Sequence, residues 1–192
     1  MTEDSYFYGH FSKYLARIQA TLALLLLLGL SGLDLFFPTN YRLQAGVHGI
    51  SAILAVIFAT LLTHRVYPLI RGIKINFDSL RRWVVIATSL NFLGAVSGNW
   101  IYMRYRGQNG PRDWILEHVP AFHKVLMEFK EFISLFPFPL MAMATFILFY
   151  YRAAMPFRRD LGLFVGISIL VSWFFLTFGF VAGLVLAKLR FV

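Results

Sequence analysis

Long apolar runs alternate with short polar links along the chain, and the runs occupy residues 18–37, 45–64, 83–103, 132–151 and 161–187. Crossing ~30 Å of hydrocarbon at about 1.5 Å per residue takes about 20 residues, so each run is long enough for one transmembrane helix. None has the every-second-residue alternation of a barrel strand, and a backbone in lipid must satisfy its own amides. The pattern predicts an all-α fold, an integral membrane bundle of five transmembrane helices in a single domain over 1–192.

The pattern changes ahead of the fourth run, where HKVLMEFKEFISLFPFPL (residues 123–140) interleaves charge with aromatics. On an ideal wheel of about 100° per residue, Leu126, Phe129, Phe132, Ile133 and Phe136 share a broad apolar face. Lys124, Glu128 and Glu131 form a charged face, and His123, Met127 and Lys130 fall between the two. With Pro120 in the first turn, where proline costs little, 121–136 reads as an interfacial amphipathic helix before the fourth span, its unlike charges within pairing reach. Pro137 and Pro139 lack the amides that would bond the carbonyls of Ile133 and Leu135, so the helix should break or kink on entering the bilayer. Carbonyls freed there are tolerated only against protein or a wet cavity.

Composition agrees with the pattern: 59% of residues are hydrophobic, 14% are charged, and 21 of 192 are Phe, the usage of a membrane chain. The absence of cysteine excludes disulfides, thiolate-held metals and thiol nucleophiles, leaving His, Met or carboxylate for any metal. The net charge of +9 does not imply nucleic acid, because the basic residues sit in links beside apolar runs. Arg65, Arg71, Lys74, Arg81 and Arg82 crowd the second link, and Arg152, Arg158 and Arg159 the fourth. The positive-inside rule makes those links cytoplasmic, with the N-terminus inside and the C-terminus outside, and a bacterial inner membrane is the expected location. The long link 104–131 also carries Arg104, Arg106, Arg112, Lys124 and Lys130, with Asp113, Glu117, Glu128 and Glu131 offsetting much of that charge.

No small-residue cleavage site follows the first run, so the first helix is expected to remain, and residues 5–17 (SYFYGHFSKYLAR) read as a surface anchor. Close helix packing is expected at the small-xxx-small pairs Gly94 with Gly98, Gly162 with Gly166 and Gly179 with Gly183. The spans show no obvious internal repeat, which disfavours an inverted-repeat transporter.

This topology gathers polar groups near the outer surface. Asp34 ends the first span, His48 lies one turn into the second and Asn99 lies near the outer end of the third. His123, Glu128, Lys130 and Glu131 belong to the same depth. Ionisable residues at membrane depth are costly and point to function. A b-type haem needs two imidazoles from different helices with cations near its propionates; His48 and His123 are the candidate ligands, with Arg104 and Arg106 as the cations. Five helices in this length resembles, in architecture only, the membrane cytochrome b subunits of respiratory quinone oxidoreductases. The first, third and fifth spans contain no histidine, unlike that family's distribution of haem ligands, and no family membership follows.

Other uses of these groups are weaker. His64 lies 16 residues beyond His48, about 24 Å along a helix and roughly 160° around it, and reads as an interfacial residue, not a second haem ligand. His123, Glu128 and Glu131 offer donors for a carboxylate-bridged metal, but without the Glu-x-x-His spacing of di-metal bundles. A histidine, a carboxylate and many aromatics also suit a quinone site. GxxxxGK[ST], HExxH and GxSxG are all absent from the sequence, which leaves nucleotide-driven and hydrolytic chemistry unsupported. The leading expectation is a small membrane electron-transfer subunit with a haem b or quinol site around His48 and His123, working beside other membrane subunits. The competing reading is a non-catalytic scaffold or accessory subunit of a larger complex, followed by a small transporter.

Overall fold

The computed structural model describes residues 41–189, with scattered helical positions between 14 and 36. The chain divides into two compact units, 1–40 and 41–192. Most of the expected surface anchor, most of the first expected span and Asp34 lie outside the described residues.

The second unit consists of α1 (Tyr41–Ile70), α2 (Phe77–Tyr105), α3 (Pro111–His118), a π-helical segment (Phe122–Met127) running into α4 (Glu128–Ser134), then α5 (Pro137–Tyr150) and α6 (Arg159–Leu189). Among the described residues there is no strand. Four helical stretches, Arg42–Ile70, Phe77–Tyr105, Phe122–Tyr150 and Arg159–Leu189, are long and apolar enough to cross a membrane. Their exposed apolar side chains, such as Ile53, Ile57 and Phe174, suit a lipid environment.

The helices overrun the apolar windows because a hydrogen-bond ladder continues until something stops it. At the end of α1 the stop is Gly72, at φ +75°. Its amide bonds the Leu69 carbonyl at 3.0 Å and the Ile73 amide bonds the Pro68 carbonyl at 2.9 Å, the paired bonds of a Schellman motif that favours glycine. Asn76 opens α2, its side chain accepting from the Ser79 amide at 3.0 Å, as a helix cap does.

α1 packs on α2 and α6, and α5 closes the ring by packing on α6 and α2. The core inside this ring includes Leu62 and Val66 of α1, Leu80 and Val84 of α2, Met141 and Leu148 of α5, and Val165 and Ile169 of α6. The glycines of α6 admit their neighbours closely: a methyl group added at Gly166 would lie 2.5 Å from Ile70 Cγ1, and one at Gly162 would lie 3.0 Å from Leu69 Cδ1. Gly94, by contrast, has open space around it.

The expected fourth span corresponds to the third of the four apolar stretches, Phe122–Tyr150. The break expected from the prolines is present between Ser134 and Pro137, with α5 beginning at Pro137, and Ser172 of α6 donates to the Pro137 carbonyl at 3.0 Å. The segment before it is helical, and three residues of the expected apolar face are exposed together while a fourth, Ile133, is buried. His123, Met127 and Ile133 are buried, whereas Phe129, Phe132 and Phe136 are exposed, and the segment packs on α6. The Glu128 amide reaches the His123 carbonyl, an i to i−5 bond, so the segment opens with a turn wider than an ordinary helix.

Candidate functional site

The last turn of α2 brings Tyr102 and Tyr105 side by side, ring centroids 5.9 Å apart and nearly parallel. Residues three apart share a helix face, and this face meets the π-helical segment and α4. The Tyr102 hydroxyl donates to Glu131 Oε2 at 2.8 Å. The Tyr105 hydroxyl lies 3.0 Å from His123 Nδ1, and His123 Nε2 lies 3.6 Å from Glu128 Oε1. Arg106 stands 3.9 Å from the same Glu128 oxygen, its guanidinium 4.6 Å from the centre of the Tyr102 ring. A neutral imidazole satisfies both contacts when Tyr105 donates to Nδ1 and Nε2–H points towards Glu128.

One atom of this cluster is left over. Glu131 Oε1 is buried and has no hydrogen-bond partner, although its sister oxygen is held by Tyr102. A carboxylate oxygen in that position is costly unless something donates to it. Next to it, Lys130 lies against α6, where a methyl group added at Gly183 would sit 3.4 Å from its Cε.

His48 belongs to a neighbouring seam between α1 and α2. Its Nδ1 is 3.2 Å from Ser97 Oγ, Ser97 Oγ is 3.1 Å from Ser51 Oγ, and the ring presses on Gly98, where an added methyl would lie 2.9 Å from Cε1. The absence of a side chain at Gly98 is what lets the imidazole reach Ser97.

The structure therefore joins His123, Glu128, Glu131 and Arg106 in one cluster, with Lys130 against α6 beside it and His48 in the separate seam with Ser97. Arg104 is partly buried on the same last turn of α2, and Asn99 is exposed. Lys124 is exposed too, and Glu128 turns to Arg106 and His123. The sequence reading missed Tyr102 and Tyr105, which supply both inter-helix hydroxyl contacts. Their spacing of three residues was the available signal. Among the described residues no three His, Cys, Asp or Glu side chains group as a metal site would require. Comparison with protein-family models, with curated proteins and with solved structures finds no match.

Proposed function

We propose that this chain is a small integral-membrane subunit of electron transfer, and that the cluster around Glu131 receives the head of a quinol-type carrier. The observation that carries the reading is the buried, unpartnered Oε1 of Glu131. A quinol hydroxyl supplies the missing donor, its ring suits the wall of Tyr102 and Tyr105, and its apolar tail suits the lipid beside exposed Phe129 and Phe132. On oxidation a quinol gives up two protons and two electrons. Glu131 takes one proton, the His123–Glu128 pair takes the second, and the electrons pass to a haem or iron–sulphur centre of a partner subunit. In this reading the cluster faces the outer leaflet and the arginine-rich links face the cytoplasm of a bacterial inner membrane.

The test is titration of the purified chain with a short-tailed quinol, followed by intrinsic fluorescence, for the natural sequence and for Glu131→Ala. Saturable binding weakened at least about tenfold by the substitution, or about 1.4 kcal/mol, is the expected result. A reduced-minus-oxidised spectrum of the same preparation addresses the haem reading. A b-type band lost in both His48→Ala and His123→Ala would replace the quinol by a haem. A colourless chain that binds no quinol would leave the accessory-subunit reading in its place.

A further inference from the structure

The opposite end of the bundle carries a charge imbalance that the cluster around Glu131 does not use. Between residues 65–82 and 152–159 there are eight Arg and Lys side chains, and the two acids among and beside them are Asp78 and Asp160. Both acids are already engaged. Asp78 pairs with Arg81 and with Arg152, and Asp160 pairs with Arg158 at 2.6 Å. Arg65 is turned to the Trp83 ring, 4.6 Å from its centre, and donates to Ser79.

Four cations remain, Arg71, Lys74, Arg82 and Arg159, and the backbone brings three of them to one turn. Gly72 makes the left-handed turn after α1, and Arg159, at the start of α6, lays its guanidinium over that turn, with Nε 3.6 Å and Cζ 3.7 Å from where a methyl on Gly72 would be. Arg71 and Lys74 flank Gly72 in sequence. Arg71, Lys74 and Arg159 are all exposed; Arg71 lies 5.9 Å from the centre of the Tyr67 ring, and among the described residues none of the three has an ion pair with an acid. Three like charges around one turn repel one another, and an anion relieves the repulsion. Beside them stand exposed apolar side chains, Tyr67 at 59%, Ile73 at 55% and Phe157 at 87%. Aromatic and aliphatic groups beside cations at a span end suit an amphiphile, with phosphate against the cations and glycerol and acyl chains against the apolar groups.

We infer that the Gly72 turn and the start of α6 form a seat for the phosphate headgroup of anionic phospholipids, held by Arg71, Lys74 and Arg159. This inference is independent of what occupies the site at Glu131.

The experiment uses the full chain in a neutral detergent and reads its thermal stability on adding phosphatidylglycerol, phosphatidylcholine or inorganic phosphate. Phosphatidylglycerol should raise the midpoint by a few degrees, and the other two should not. About 1 M sodium chloride, at which the Debye length falls to about 3 Å, should remove the gain. The combined Arg71→Gln, Lys74→Gln and Arg159→Gln variant should lose the gain, while Arg112→Gln with Lys124→Gln should keep it. An equal gain from phosphatidylcholine, an equal gain from free phosphate, or a gain retained by the triple variant overturns the inference. Should the triple variant not fold, the headgroup and salt comparisons on the natural sequence decide between the same outcomes.

Discussion

The Tyr105 hydroxyl lies 3.0 Å from His123 Nδ1, and both residues are buried, Tyr105 at 6% and His123 at 5% exposure. This contact ties the end of α2 to a π-helical turn that an ordinary helix would not place there. Such turns recur at functional sites, where they redirect a side chain that regular winding would point elsewhere. Here the redirected side chain is His123.

Tyr105→Phe keeps the ring and removes the hydroxyl, so it isolates this contact. Hydrogen bonds between membrane helices average about 0.6 kcal/mol, but a buried partner left unsatisfied costs about 1–3 kcal/mol. A loss of about 1–2 kcal/mol in reversible unfolding is expected. Tyr102→Phe strips a donor from Glu131 and should cost at least as much, because the stranded group is then a carboxylate.

Arg81 is a buried cation serving a backbone. Its Nε donates to the Leu148 carbonyl at 2.9 Å, close to the end of α5, where carbonyls lack helical partners. Arg81→Met should destabilise the chain by about 1–3 kcal/mol. Asp78→Asn should cost less than about 1 kcal/mol, since Asp78 is 69% exposed and water replaces much of what the pair supplies. Equilibrium unfolding of the two variants checks the order.

Gly166 and Gly94 make a matched pair. Gly166→Ala puts a methyl against Ile70 and should cost about 1–3 kcal/mol. Gly94→Ala meets nothing and should be neutral or gain up to about 1 kcal/mol from helix propensity. The two unfolding midpoints should move in opposite directions or differ clearly in size.

Reporter fusions test the four crossings described. Fusions at Lys74 and at Ala154 should report one compartment and a fusion at Gln108 the other, because α1 and α2 return to one side and the stretch Phe122–Tyr150 leads back to α6. Equal reporting at all three positions would remove the membrane-spanning reading of α2.

Much of this fold was legible because lipid leaves few alternatives to a helix, so apolar run lengths alone placed the crossings from 41 onward. The ends were less legible. Apolar windows stop at the first charge, whereas α1 stops at the Gly72 turn, six residues beyond its expected end at 64. The break before Pro137 was written plainly in the missing amides. The wide turn at His123 was not, because a wheel assumes regular winding, and neither was the burial of Ile133 apart from its face-mates Phe129 and Phe132. Tyr102 and Tyr105 look in sequence like interfacial aromatics, and only the arrival of Glu131 and His123 opposite them gives their hydroxyls a purpose.

The break between Ser134 and Pro137 divides the stretch Phe122–Tyr150 mechanically. On one side α5 is locked into the core through Met141 and Leu148; on the other the stretch from Phe122 to Ser134 lies outside that core, packed on α6 and tied to α2 by the Tyr102 and Tyr105 hydroxyls. Local opening free energies follow the density of such attachments. Amide protons of 122–134 should therefore exchange with solvent deuterium as a separate cooperative unit, ahead of α5. Whatever molecule satisfies Glu131 would slow that exchange, leaving the core's exchange unchanged.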